Sequence, residues 1–483
     1  MMTQRARKVA VLGLGKTGLS CARWLHAQGH EVAVLDSRAS PPGLAQLQAE
    51  LPDVAALLGG FDGAILQTAD EIVVSPGVPL GTPALAAAAA QGLPIIGDIE
   101  LFARVVTAPV IAITGSNGKS TVTTLVGEML RQAGLNVAVG ANLGVPALDL
   151  LASNADWYVL ELSSFQLETT ASLRVRAATV LNLSADHLDR YASLADYGAA
   201  KARIFAHAER AVVNRDDAVA AALAKGVPEH IGFSLSAPSG EADYGVSMHA
   251  RAPWIARGTR PLMPVAALPV PGRHNLANAL AALALAESAG VEPEIGCEVL
   301  RAFHGLPHRG ELVAERRGIR WINDSKGTNP GATVAALAGV VADLSPGDGT
   351  GAAATAPDGA GNGTRNGARN NPGTAATGPA RAVLIAGGDG KGADFSPLAP
   401  VVRRCARAVV LIGRDAPLLE QALRDTVPLE RAANMTEAVR LADRLAEPGD
   451  SVLLSPACAS FDQFDDYQQR GRAFVAAVAE LGA

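Results

Sequence analysis

Three times along this chain an apolar run ends in a turn rich in glycine or polar residues, passes into a helical stretch, and the alternation then starts again. KVAVLGLG (8–15) is followed by TGLSCARWLHAQG, a helix ending at Gly29, and then by EVAVLD; EIVVSPG (71–77) is a later strand. VIAITG (110–115) restarts the pattern, with a helix through LVGEMLRQAG and then WYVLELSS (157–164), ATVLNLS (178–184) and RAVVNRDD (210–217). After the PHR at 307–309 it restarts once more with IRWINDS, RAVLIAGGD, RAVVLIGRD and DSVLLSPA. Unbroken apolar strands that alternate with helices form parallel sheets buried on both faces. The expected fold is therefore α/β, with three α/β domains over 1–97, 98–305 and 306–483: Rossmann-like, P-loop-type ATPase and Rossmann-like. At 483 residues the chain is too long for one core. One stretch fits no core. Residues 345–379 hold nine glycines and no Val, Leu, Ile, Met or aromatic side chain, so they read as a flexible insertion in the third domain.

Composition narrows the function. Lys+Arg 41 against Asp+Glu 47 gives a net charge of −6, with no basic run, which argues against nucleic acid as a partner. An anionic ligand must be held by a local site. Cys21, Cys297, Cys405 and Cys458 lie far apart and read as reduced, mostly buried thiols. No apolar run reaches the ~18 residues that span a bilayer. The expectation is a cytoplasmic enzyme, monomeric and not inserted in membrane.

Two turns carry the chemistry. Gly13-x-Gly15-x-x-Gly18 leaves a strand and opens a helix, and Asp36 ends the next strand. That arrangement seats a diphosphate on a helix N-terminus with an acid near a ribose hydroxyl. Alone it predicts a nicotinamide or flavin enzyme, or merely a tight turn. TGSNGKST (114–121) also joins strand to helix. Its glycines let backbone N–H groups converge on phosphates, Lys119 brings a mobile charge, and the Ser120 hydroxyl suits Mg²⁺. The loop is shorter than a standard P-loop, with Gly115 only three residues before Gly118. Glu161 follows a strand at the depth where an ATPase places an acid on Mg²⁺. A diphosphate site beside a triphosphate site is unlike a plain dehydrogenase: one nucleotide supplies energy and the other is a handle on the substrate. His187 and Lys201 stay open between a site role and a bland one, a loop His bonded to a neighbouring carboxylate and a solvated helical Lys.

TGSNGKST, LELSSFQLE, DHLDRY…AAKARIF, GRHNLANALAALALA, GLPHR, WINDSKGTN, GGDGKGADFSPL and LLSPACASFDQF together resemble the Mur ligases of peptidoglycan synthesis, from about Lys8 to Leu481. SSFQLE, NDSKGTN and SPACASFDQF resemble the D-glutamate-adding branch most. The resemblance implies an ATP-dependent acid–D-amino-acid ligase of cell-wall biogenesis, and so of cell shape and division. Its small-molecule partners would be UDP-N-acetylmuramoyl-L-alanine, D-glutamate and ATP, joined through an acyl phosphate. It further implies that Gly15, Lys16, Thr17, Asp36, Ser37 and Arg38 hold the UDP, and that Asn142 reaches its diphosphate. ATP would lie on Gly115, Ser116, Asn117, Gly118, Lys119, Ser120 and Thr121, with Asn275 and Asn278 near adenine and Arg309, Asp324 and Lys326 closing over the nucleotide. Two Mg²⁺ would use Ser120, Glu161, His187 and Lys201, the last carbamylated. Lys391 and Thr328 would take the α-carboxylate of D-glutamate, and Ser460 with the backbone near Tyr467 its side-chain carboxylate. Lys119, Glu161, His187 and Lys201 are the implied catalytic set. The sequence departs from the family at Gly310, where relatives carry a bulky apolar residue, and at Tyr467, often Phe. Another Mur-type or folylpolyglutamate-type ligase, an NAD-dependent oxidoreductase and a non-catalytic nucleotide-binding scaffold remain alternatives.

Overall fold

A computed structural model describes residues 6–270, 272–344 and 381–481. The insertion expected at 345–379 lies outside the described residues.

The first sheet holds β1 (Lys8–Leu12), β2 (Glu31–Asp36), β3 (Ala55–Leu58), β4 (Glu71–Val74) and β5 (Ile95–Ile96), all parallel, in the order β3-β2-β1-β4-β5. The chain winds one way from β1 to β3 and then crosses to the far side of β1. That reversal opens a crevice at the carboxyl end of β1, the usual ligand seat of such sheets.

The second sheet has nine strands: β6 (Val110–Thr114), β7 (Val137–Ala141), β8 (Trp157–Glu161), β9 (Val175–Val180), β10 (Ala208–Asn214), β11 (Glu229–Phe233), β12 (Tyr244–His249), β13 (Ala252–Arg257) and β14 (Arg260–Pro264). Their order is β14-β13-β12-β11-β10-β9-β6-β8-β7. Strands β6 to β12 pair in parallel, and β12, β13 and β14 form an antiparallel meander at the edge. The register aligns the site: Ile113 lies opposite Glu161, Glu161 opposite Ala141, and Thr114 opposite Val180. Four connecting segments therefore leave the sheet abreast. Helix Arg273–Glu287 covers one face and is buried continuously from Asn278 to Ala286, as its Ala- and Leu-rich sequence requires. On the other face Val110, Ala112 and Leu160 share one core with Val9, Val11, Leu19 and Phe102. That shared core makes the first two sheets a single compact unit ending at His304.

The second unit, from Gly305 onward, carries β15 (Glu311–Arg316), β16 (Ile319–Asn323), β17 (Ala382–Gly387), β18 (Ala406–Ile412), β19 (Leu429–Arg431) and β20 (Ser451–Leu454), in the order β15-β16-β20-β17-β18-β19. Strands β15 and β16 form a hairpin and the other pairings are parallel. All four cysteines are free and buried. Among the described residues no helix is long and apolar enough to cross a membrane.

Candidate active site

The turn after β1 divides the work of its glycines. Gly13 has φ +90°, and a Cβ on Gly18 would stand 1.8 Å from the Gly13 carbonyl oxygen, so both positions need glycine for local geometry. Gly15 differs: a Cβ there would meet nothing within 4 Å. It caps helix Lys16–Ala27 with no side-chain hydrogen bond, which leaves open space over the first N–H groups. Lys16 is exposed and Thr17 half-buried beside it.

Asp36, expected near a ribose hydroxyl, is hydrogen-bonded within its own turn. Its Oδ2 accepts from the Leu14 N–H at 2.7 Å and from the Arg38 guanidinium at 2.7 Å; its Oδ1 accepts from the Arg38 N–H at 2.9 Å and from Arg38 Nε at 2.8 Å. Four donors fill the acceptor sites of one carboxylate. The Arg38 hydrogen bonds are the main cause that holds the Asp36 pKa down at about 2. Asp36 thus braces the turn and aims the exposed Arg38, with Ser37 exposed between them.

In the second sheet, Gly115–Gly118 joins β6 to helix Lys119–Gln132, with Gly118 at φ +83°. A Cβ on Gly118 would lie 2.4 Å from Asn278 Oδ1, so helix Arg273–Glu287 rests on the loop. The segment after β9 ties the loop down. Ser116 N–H donates to the Asn182 carbonyl at 3.0 Å, Asn117 N–H to Asn182 Oδ1 at 2.8 Å, and Ser184 N–H to Ser116 Oγ at 2.9 Å. Lys119 Nζ curls back onto the Gly115 and Ser116 carbonyls at 2.8 and 3.0 Å. Ser120 is buried in the first turn, and Thr121 and Asn275 line a small cavity with Leu125, Val270 and Phe303.

Glu161 ends β8. Its Oε1 accepts from Asn142 Nδ2 at 2.5 Å, while its Oε2 is buried with no hydrogen-bond partner. Asn142, expected on the substrate diphosphate, is the donor of this hydrogen bond. Lys201 is 1% exposed, so the solvated-helix alternative falls. Its Nζ donates to Thr114 Oγ1 at 3.2 Å and to the Gly115 carbonyl at 3.0 Å, and lies 4.5 Å from the centroid of the Tyr197 ring. Burial, then the charge of Lys119, drive its pKa well below the ordinary 10.5, against the pull of Asp186 and Glu161. His187 has φ +56°; its ring packs edge-on to Phe165 at 4.8 Å, with Nε2 3.8 Å from Asp186 Oδ2. Asp186, buried and adjacent to His187, is the neighbouring carboxylate that the blander reading of this histidine allows for, although no role is assigned to it by number.

An acidic oxygen left unpaired and a buried hydroxyl suit a hard cation that arrives with phosphate oxygens, whereas the Lys201 amine as it stands does not. Among the described residues no three His, Cys, Asp or Glu side chains gather into a group that could hold a metal ion.

In the second unit, the loops after β16, β20 and β17 leave one edge of the sheet. Buried Arg470 binds two of them: Nε donates to Ser325 Oγ at 3.0 Å, a terminal nitrogen to the Ser325 carbonyl at 2.8 Å, and the other to the Cys458 and Ala459 carbonyls, each at 3.1 Å. Burial lowers its pKa to about 10. No periodicity flagged it. Asp389 pairs with Ala459, which brings the Lys391 loop beside buried Ser460. Lys326 Nζ lies 4.1 Å from the Tyr467 ring centroid, and the Tyr467 carbonyl accepts from Ser325 Oγ at 2.8 Å. Thr328 follows in the same turn, its N–H donating to the Lys326 carbonyl. Burial raises the Asp324 pKa to about 7, against the hydrogen bond from Ser455 Oγ and the charge of half-buried Arg309. The departure at Gly310 has a backbone cause: φ is +66° and a Cβ there would meet nothing.

Three family profiles match in order: the Mur ligase MurD-like N-terminal domain over 7–97, the Mur ligase middle domain over 113–286 and the Mur ligase glutamate ligase domain over 364–458. The UDP-N-acetylmuramoylalanine–D-glutamate ligase of Nitrosococcus oceani is 51% identical over 483 residues, 100% of this chain and 98% of that one. The ligase of the same name from Pseudomonas aeruginosa is 49% identical over 98% of this chain and 97% of its own. The chain belongs to the Mur ligase family. Solved Mur ligases share its architecture at low identity. UDP-N-acetylmuramate–alanine ligase of Thermotoga maritima superposes with TM-score 0.59 at 18% identity, covering 98% of this chain and 100% of its own. The MurF ligase of Thermotoga maritima, in complex with ADP, superposes with TM-score 0.56 at 15% identity, covering 99% and 97%. A Mur ligase fold thus accounts for both glycine turns, and no dehydrogenase is needed to explain the first.

Proposed function

We propose that this chain joins D-glutamate to UDP-N-acetylmuramoyl-L-alanine at the expense of ATP, in cytoplasmic synthesis of peptidoglycan precursors. The names of the half-identical relatives favour this amino acid over those of other Mur-type or folylpolyglutamate-type ligases. The single observation that carries the chemistry is the cluster at the carboxyl edge of β6 and β8: Lys119 on the phosphate loop, and Glu161 with one oxygen unpaired.

A carboxylate is a poor acyl donor because oxide is a poor leaving group. In this reading the L-alanine carboxylate attacks the γ-phosphoryl of ATP, forming an acyl phosphate and ADP. The neutral amine of D-glutamate then attacks the acyl carbon, the C–N bond forms, and phosphate departs. Such transfers depend on positioning and charge neutralisation, not on a protein nucleophile. Lys119 and the loop N–H groups hold the phosphates. Ser120 and Glu161 would hold one Mg²⁺, and His187 and Lys201 a second. Mg²⁺, when bound, neutralises charge on the transferred group. Lys201 serves best as a carbamate. A neutral buried amine can add CO₂ and give up one N–H proton, which turns it into an anionic oxygen ligand. Residues 1–97 hold UDP through Gly15 to Thr17 and Asp36 to Arg38, and residues 98–305 hold ATP, with Asn275 and Asn278 toward adenine. Residues 306–483 hold D-glutamate through Thr328, Lys391, Ser460 and Tyr467. The nucleotide roles of Arg309, Asp324 and Lys326 belong to the same proposal, as does a monomer that binds no nucleic acid.

The test is Lys119→Ala, assayed by phosphate release across D-Glu, L-Glu, L-Ala and L-Lys. Wild type should respond to D-Glu. The variant should lose about 10²–10³-fold in rate while still binding UDP. Persistent ADP formation in the variant would refute the loop assignment.

A further inference from the structure

Two motif residues have no part in the chemistry above: Glu168, the last residue of SSFQLE, and Arg190 in DHLDRY. The structure joins them. Arg190 is 14% exposed and Glu168 16%, and they form an ion pair. The same guanidinium donates to the carbonyl of Pro76 at 2.9 Å and stacks over the Phe165 ring at 4.1 Å. Three segments meet on this one side chain: the turn after β4 in the first sheet, helix Ser164–Glu168 after β8, and the loop after β9.

The contacts to Pro76 and Phe165 each lead on to a proposed binding element. Ser75, the neighbour of Pro76, donates from Oγ to the Gly13 carbonyl at 2.9 Å and so braces the diphosphate turn. Phe165 packs on the His187 ring. The backbone of Arg190 closes on His187 as well, its N–H donating to the His187 carbonyl at 2.9 Å. An unbroken series of contacts therefore runs from Gly13 through Ser75, Pro76, Arg190 and Phe165 to His187. A planar guanidinium suits such a junction because its donors point in fixed directions, which a lysine cannot reproduce.

We propose that Arg190 is a positioning residue, fixing the span between the diphosphate turn and the His187 loop and thereby the length of substrate whose carboxylate meets the γ-phosphoryl. The inference rests on the ligase reading above. It assigns Arg190 no contact with a reacting atom, so loosening it should misalign the bound substrate without weakening either nucleotide. A misplacement of about 1 Å can cost about 10²-fold in rate.

The test uses full-length Arg190→Met, with D-glutamate-dependent phosphate release, KM for ATP, calorimetric binding of UDP alone, and the thermal midpoint. The expected result is kcat down by about 10–10²-fold, with UDP affinity and KM for ATP within about twofold. Glu168→Gln should lose less, and the double variant should be no worse than Arg190→Met, because both act through one junction. Arg190→Lys should recover part of the rate. If Arg190→Met does not fold, Glu168→Gln carries the same split between rate and affinity. An unchanged kcat overturns the proposal, as does a fall in kcat, UDP affinity and thermal midpoint together, which would mark a general structural role. Wild-type protein without D-glutamate-dependent turnover would overturn the ligase reading and this proposal with it; wild-type turnover beside an unaffected variant overturns this proposal alone.

Discussion

The two glycine turns of the first unit start from the same plan, a central parallel strand that runs through glycines into a helix, and end with opposite electrostatics. At the diphosphate turn every site on Asp36 is filled by its own chain before any ligand arrives. At the phosphate loop, Glu161 keeps a buried oxygen without a partner, and Lys201 is buried with its hydrogen bonds going only to uncharged oxygens. An unpaired buried polar group costs about 1–3 kcal/mol. In the proposed reading the first turn holds a handle and can be complete in advance, whereas the second moves charge and carries groups whose partners come with the nucleotide.

Glu161→Gln should break that contrast most severely. The amide brings donors where a hard cation needs an anionic oxygen, so kcat should fall about 10²-fold. Mn²⁺ binding, followed by electron paramagnetic resonance in the presence of ADP, should weaken, while UDP affinity stays put. Unchanged Mn²⁺ binding would remove Glu161 from the metal site.

Lys201→Met should lower turnover, though by less than Glu161→Gln, yet stabilise the ligand-free protein. The sign follows from its lowered pKa: burial disfavours the charged amine in the folded chain, so Lys201 destabilises the fold fully at pH values below its lowered folded pKa. This penalty shrinks as pH rises from the folded value toward 10.5. The thermal midpoint of Lys201→Met should exceed that of wild type near neutrality and converge with it in alkali. A lower midpoint at neutral pH would mean that Lys201 is already paired in the ligand-free protein.

At the other turn the expected loss is smaller. Asp36→Asn keeps one acceptor oxygen and cannot hold Arg38 at both, so UDP should bind about tenfold more weakly, ~1.4 kcal/mol. Its pH dependence has the same sign as that of Lys201, because both folded pKa values are lowered and stability rises with pH in each window, but at Asp36 the fold favours the charged form. With a folded pKa of about 2 against an ordinary 3.8, Asp36 stabilises the fold fully above 3.8, and the contribution is lost as pH falls toward 2. The variant should lack that acid-dependent component.

What the sequence disclosed follows from burial. Strands such as Val110–Thr114 are covered on both faces, so they read as unbroken apolar runs, and the glycine turns after β1 and β6 are marked by spacing alone. The meander of β12 to β14 was not legible, because its residues are half-exposed and prolines 253, 261 and 264 interrupt the alternation. Ser163 looked like the end of a strand; in the structure it caps a short helix, with Gln166 completing a capping box. Lys201 could not be placed because Thr114, which helps bury it, is 87 residues away. Arg470 was silent for the same reason, its partners lying 145 and 12 residues distant. Pattern reports the face a residue belongs to, not what the fold sets against that face.

The finest test separates two glycines of one motif. Gly15 and Gly18 sit three residues apart, and sequence alone treats them alike. A Cβ at Gly18 would collide with the Gly13 carbonyl, whereas at Gly15 it would enter empty space at φ −94°, a conformation alanine adopts freely. Gly15→Ala should therefore leave the thermal midpoint unchanged, or raise it slightly by restricting the unfolded chain. Any effect should fall on the ligand: a methyl group over the helix N-terminus would keep a diphosphate from the backbone N–H groups, and UDP affinity should drop a few-fold at constant kcat. If UDP binds Gly15→Ala as tightly as wild type, the diphosphate lies elsewhere, and the open space over Gly15 is only the outside of a turn.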